Sequence, residues 1–114
     1  MRCPGQIVLF PFPYTDQTTS KLRPALLLGK VPGDFDDWLI CMISSQLRQE
    51  IKGFDEIIQE SDPDFPSSGL KTISLMRLGR LAVVDGGLLA GTIGAISPER
   101  LVGIKKRISA WISG

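Results

Sequence analysis

Histidine is absent from the 114 residues of this chain. That absence removes every mechanism that needs imidazole as base, acid or metal ligand. Serine–histidine hydrolases, paired-histidine nucleases and histidine-ligated zinc enzymes are excluded together. Cysteine is scarce, with Cys3 and Cys41 the two present; two thiols in a cytosolic chain stay reduced more often than they pair. No apolar run approaches the roughly 20 residues of a membrane helix. The N-terminus, Met1-Arg2-Cys3-Pro4-Gly5-Gln6, lacks the apolar stretch and small-residue cleavage site of a signal peptide, so a cytoplasmic protein is expected. Charge of one sign is also missing. The net charge of +1 falls short of the basic footprint usual for nucleic-acid binders, so any grip on a polyanion must come from a local cluster. The glycines form no phosphate-cradling loop. Asp34, Asp36 and Asp37 crowd one loop and Asp62 and Asp64 another, but neither has calcium-loop spacing.

What remains is an ordinary globular composition, 43% hydrophobic and 22% charged, of a length that fits one domain spanning residues 1–114. Ile7-Val8-Leu9-Phe10 is β-branched and aromatic and reads as a strand ended by Pro11 and Pro13. A polar loop follows, from Tyr14 to Ser20. Arg23-Pro24-Ala25-Leu26-Leu27-Leu28 reads as a second strand, with its proline at the first position or on an edge. Trp38-Leu39-Ile40-Cys41-Met42-Ile43 is a buried strand, and Phe54-Asp55-Glu56-Ile57-Ile58 a weaker one. Residues 61–69 read as loop. Strand character returns over residues 72–84 and again over residues 92–96, with a turn at Gly86-Gly87. The clearest helix comes last. Ser97 caps it, Pro98 fits its first position, and Leu101, Ile104, Ile108, Trp111 and Ile112 recur on one face. Lys105, Lys106 and Arg107 lie toward its C-terminal half, where cations suit the dipole. Many short strands and one terminal helix predict a mostly β fold: a small barrel or half-open sheet with the helix across one face or end.

Three places carry candidate chemistry. Arg23 precedes a strand and follows a polar loop, where a guanidinium can grip phosphate bidentately; on pattern alone it reads first as a strand-edge arginine in a surface ion pair. Ser44, Ser45 and Gln46 end the buried strand, where hydroxyls and an amide can bond a phosphate or a base edge, or simply form a polar turn. The segment Ser67-Ser68-Gly69-Leu70-Lys71, followed by Arg77 and Arg80, offers either cations for RNA or solvated charges. Tyr14 adds a ring on which a base can stack.

Taken in order, these segments resemble the MazF/PemK toxin family. Gly5-Gln6-Ile7-Val8 through Phe12-Pro13-Tyr14-Thr15-Asp16 is similar to its opening, and Leu22-Arg23-Pro24-Ala25 to its Arg-Pro-Ala/Val motif. Ile43-Ser44-Ser45-Gln46 resembles its Ile-Thr/Ser-x-Gln segment. Ser68-Gly69-Leu70-Lys71 and Arg77-Leu78 resemble later strands, and Ile93-Gly94-Ala95-Ile96-Ser97-Pro98-Glu99-Arg100-Leu101 its final strand and helix. The resemblance covers nearly the whole chain. It implies an SH3-like small barrel with a C-terminal α-helix, a homodimer, and cleavage of single-stranded RNA at chosen sequences without metal or other cofactor. It also implies neutralisation by a cognate acidic antitoxin, with DNA contacted only through that antitoxin. By residue it places the catalytic arginine at Arg23, the catalytic hydroxyl at Ser44 and a second phosphate- or base-contacting arginine at Arg77. It departs from the family at Gly79, where some members carry an aspartate. Two other functions remain open for the same barrel: a binding module with little or no cleavage, and a toxin that poisons a topoisomerase.

Overall fold

The computed structural model describes residues 1–13 and 20–114, so the polar loop with Tyr14 lies outside the described residues. Six strands form one antiparallel sheet. They are β1 (Gln6–Pro13), β2 (Ser20–Lys30), β3 (Asp37–Ser44), β4 (Glu56–Ile58), β5 (Ser74–Asp85) and β6 (Gly91–Ala95). Their order across the sheet is β4-β5-β3-β2-β1-β6. The sheet curls into a half-barrel, in keeping with the MazF/PemK barrel architecture.

Side-chain alternation along the strands fills both faces. One cluster joins Ile7, Leu26, Leu28, Cys41, Ile43, Met76 and Leu78 to Ile104 and Ile108 of the C-terminal helix α2 (Pro98–Ser113). The residues between them, Val8, Ala25, Leu27, Trp38 and Ile40, form the second cluster with Val84 and Leu89. The helix therefore covers one face. Full burial of Ile104 and near-full burial of Ile108 stabilises the fold by about 2 kcal/mol each.

Four expectations need correction. Pro11 and Pro13 do not end β1, which runs on to Pro13. Pairing with β6 stops at Leu9, so Pro11 sits where one side of β1 has no ladder to break. Arg23 likewise does not precede β2 but lies inside it, as does Pro24, which meets the edge alternative because it stands just beyond the last β2–β3 pair, Ala25 with Met42. Residues 61–69 contain one helical turn, α1 (Phe65–Ser68), closed by Gly69 at φ 75°. On α2 the apolar face narrows toward its end. Ile112 is 68% and Trp111 52% exposed, although the Trp111 ring meets Phe54 edge-on with centroids 5.4 Å apart. Lys105, Lys106 and Arg107 lie toward the C-terminal half of α2 as expected, though none reaches the last turn. Arg107 instead reaches across to Glu56 and to the carbonyls of Phe54 and Asp55.

The strand expected over residues 72–84 is continuous but bulged. Cys41 opposes Leu81 while the next residue, Met42, opposes Arg77. Leu78, Gly79 and Arg80 thus have no partner on β3, an enlarged bulge of the kind that re-aims side chains.

Candidate functional site

Beyond the Ala25–Met42 pair, β2 and β3 are no longer paired. A cleft of about 460 Å³ opens there, lined by Arg23 and Pro24 from β2 and by Ile43, Ser44 and Ser45 at the end of β3. Its far wall is the segment from Gly69 to Thr72, with Leu9 and Ile93 also lining it. Two glycines set that wall. A Cβ at Gly69 would lie 2.1 Å from the Ile93 carbonyl oxygen, and one at Gly94 would lie 2.3 Å from the Ser67 carbonyl oxygen. Only bare backbone lets α1 settle this closely on β6. Ser67 Oγ adds a hydrogen bond to the Ala95 carbonyl at 3.1 Å.

Ser44 Oγ accepts the Gln46 backbone N–H at 3.0 Å. That bond turns the chain at the strand end and fixes the hydroxyl oxygen, while its own proton remains to donate. Arg23 and Lys71 are exposed and bring two cations to one cleft. Lys71 was legible only as part of the Ser67–Lys71 segment. The apolar lining, Leu9 and Ile93, comes from strands that only the sheet brings together.

The remaining candidates lie around the cleft. Gln46 is exposed and contributes its backbone to Ser44 rather than lining the cleft. Arg77 stands opposite Met42, and Ser44 opposite Leu75, so Ser44 and Arg77 are diagonal neighbours on one sheet face. Arg77 Nη1 donates to Gln49 Oε1 at 3.2 Å, from the 3-10 turn Leu47–Gln49. Arg80 is exposed within the bulge. Phe10 is an aromatic residue beside Arg23, its direct partner across β1 and β2.

Other charged groups serve the scaffold. The Arg100 guanidinium meets Glu56 at 2.6 Å and Asp62 and Asp64 at 2.9 Å each, and bonds the Ile57 carbonyl at 3.0 Å. The hydrogen bond from Arg100 brings the Asp64 carboxyl down to about 2, with the Ser97 N–H helping. In return, the bond to Asp64 raises Arg100 further above its ordinary value. Asp62 and Asp64 therefore crowd together around a cation of the chain itself. Asp36 accepts the Trp38 indole N–H at 2.8 Å. Burial, reinforced by the Asp55 charge, pushes the Cys41 thiol up to about 12 and makes it unreactive at neutral pH. Cys3 is exposed and unpaired.

A family model described as PemK-like, MazF-like toxin of type II toxin–antitoxin system matches residues 4–112 of the chain. No curated protein matches it.

Proposed function

Since this chain belongs to the PemK-like, MazF-like toxins of type II toxin–antitoxin systems, we propose that it is an endoribonuclease that cuts single-stranded RNA in the Arg23–Ser44 cleft. The observation that carries this reading is the convergence of Arg23, Ser44, Ser45 and Lys71 on one cleft where two strands part. The ribose 2′-hydroxyl attacks the adjacent phosphorus and the 5′-oxygen of the next nucleotide leaves. The products are a 2′,3′-cyclic phosphate and a 5′-hydroxyl.

Negative charge accumulates on the non-bridging oxygens as the P–O bond forms. Arg23 grips those oxygens through its forked donors, and Ser44, its oxygen held by Gln46 N–H, adds a neutral donor. Preorganised donors of this kind supply a large share of catalysis, while the 2′-hydroxyl proton passes to solvent and the departing 5′-oxygen takes one from water. The guanidinium of Arg23 is not the base, since arginine stays protonated in proteins. In-line alignment of the 2′-hydroxyl therefore carries much of the rate. With the charge on the non-bridging oxygens met by Arg23 and Ser44, the reaction is expected to need no metal, and cleavage persists in EDTA.

Single 2′-deoxy substitutions along a cleaved RNA oligonucleotide test this directly. Substitution on the 5′ side of the cut must abolish cleavage there, and the 5′ fragment must end in a cyclic phosphate. Cleavage that survives 2′-deoxy substitution at that position refutes the mechanism.

A further inference from the structure

Asp55 is 6% exposed and takes no part in the cleft. A carboxylate this deeply buried requires partners, and both of its oxygens have one. Oδ2 accepts the Ile51 N–H at 2.9 Å and Oδ1 accepts the Leu78 N–H at 3.0 Å. The second bond is the unusual one. Leu78 opens the bulge of β5, where pairing with β3 lapses between Arg77 and Leu81. Its N–H points away from any ladder partner, and Asp55, 23 positions earlier in the chain, supplies the acceptor.

The same segment holds Arg77 a second time. Gln49 lies two residues before Ile51, and its Oε1 accepts from Arg77 Nη1 at 3.2 Å. Thus one stretch, residues 49–55, grips the Arg77 side chain through Gln49 and the next residue's backbone through Asp55. Only Leu47 and Arg48 separate that stretch from Ser44–Gln46. Its other end is anchored, because Arg107 on α2 donates to the Phe54 and Asp55 carbonyls at 2.9 Å each. From these contacts we propose that Asp55 is a positioning residue. It locks the β5 bulge so that the Arg77 guanidinium, steadied by Gln49, stands at a fixed place beside Ser44 for the RNA phosphate. This rests on the ribonuclease reading above.

A double-mutant cycle separates positioning from mere support of the fold. Asp55→Asn keeps one acceptor oxygen and turns an NH2 toward the other backbone N–H. Gln49→Ala removes the direct contact at the surface and leaves the buried carboxylate in place, so it reads the same coupling if Asp55→Asn does not fold. Each substitution is expected to lower kcat for RNA cleavage about tenfold, since an ångström of misplacement can cost up to about a hundredfold. KM should change less. In an Arg77→Ala background neither should cost anything further, while Asp55→Asn should lower Tm equally in both backgrounds. Equal losses of kcat with and without Arg77 would overturn the inference, as would an Arg77→Ala protein that cuts as fast as the parent. A parent protein that cuts no RNA marks the failure of the ribonuclease reading itself. A parent that cuts, combined with additive losses, marks the failure of this inference alone.

Discussion

Arg23 and Ser44 differ in what their removal should cost. Arg23→Ala deletes a charged, bidentate donor, and loss of such a donor costs about a hundredfold or more in kcat. Ser44→Ala deletes one neutral donor whose oxygen is held by Gln46 N–H, so it should cost less. Single-turnover cleavage of one RNA oligonucleotide by the two variants checks the order; the reverse order would move the centre of the reaction to Ser44. Gly79 invites a second substitution. Its φ is not positive, and a Cβ there would meet only the Phe54 ring, at an ordinary 3.5 Å. The bulge does not demand glycine, so Gly79→Asp should melt close to the parent. A carboxylate at this place can accept from a base amino group or pair with a nearby guanidinium. The variant is therefore expected to cut fewer sequences and to bind RNA with less salt sensitivity. An unchanged cleavage map from a stable Gly79→Asp protein would remove this position from recognition. Ser44 and Ser45 were legible in the sequence because they sit where β3 ends, and Arg23 because it stands beside Pro24 after a polar loop, although it lies inside β2. Gln49 and Asp55 were not, because their roles exist only once the bulge has formed.

At the scale of elements, Arg100 is the hub that ties α2 to β4 and to the α1 region. Its guanidinium faces Glu56, Asp62 and Asp64 and is largely shielded from solvent. Arg100→Ala would leave those carboxylates facing one another around an empty place. Removing one partner of a fully buried ion pair costs about 3–5 kcal/mol; this network is part-buried, so urea unfolding should show a smaller loss, about 2 kcal/mol. The network also sets an acid limit. The Asp64 pKa is lowered in the folded chain to about 2 from an ordinary 3.8. The stabilisation is therefore fully present above the unfolded value and disappears as pH falls from about 4 toward about 2. A fall in Tm across this window in the parent, and a shallower one in Arg100→Ala, is the expected result; parallel curves would place the acid sensitivity elsewhere. Sequence periodicity revealed the helix because Leu101, Ile104 and Ile108 repeat at its spacing. It overstated the face at Trp111 and Ile112, which stay more than half exposed near the end of α2, with Trp111 meeting the Phe54 ring edge-on. The α1 turn was hidden for the opposite reason: one turn is too short to show a period, and Pro63, Pro66 and Gly69 look like loop.

On the scale of the whole molecule, a half-barrel with β4 and β6 as its outer strands leaves unpaired edges. Phe35, Val83 and Leu88 are also more than half exposed, on segments that meet where Gly86 N–H bonds the Asp36 carbonyl. A symmetric dimer is the commonest way to cover such surface, and we expect sedimentation at micromolar concentration to show one. The family implies an antitoxin, and the chemistry of the cleft indicates how it would act. Arg23 and Lys71 attract carboxylates as they attract phosphates, and Leu9, Leu70 and Ile93 offer apolar lining between them. An acidic, largely disordered segment that folds on binding can satisfy both features at once. It would then exclude RNA by occupying the same cations. Lys71 makes this testable, because a lysine is a point charge that can hold a phosphate without taking part in bond cleavage. Lys71→Ala should still cut RNA at saturating substrate, while its log K against log salt slope falls by about 0.7, as for one lost contact to a single strand. The same substitution should weaken an acidic antitoxin peptide and flatten its salt dependence. RNA and peptide should compete in a binding titration. A tight peptide complex that leaves RNA cleavage untouched, or a peptide indifferent to both salt and Lys71, would place the antitoxin outside the cleft.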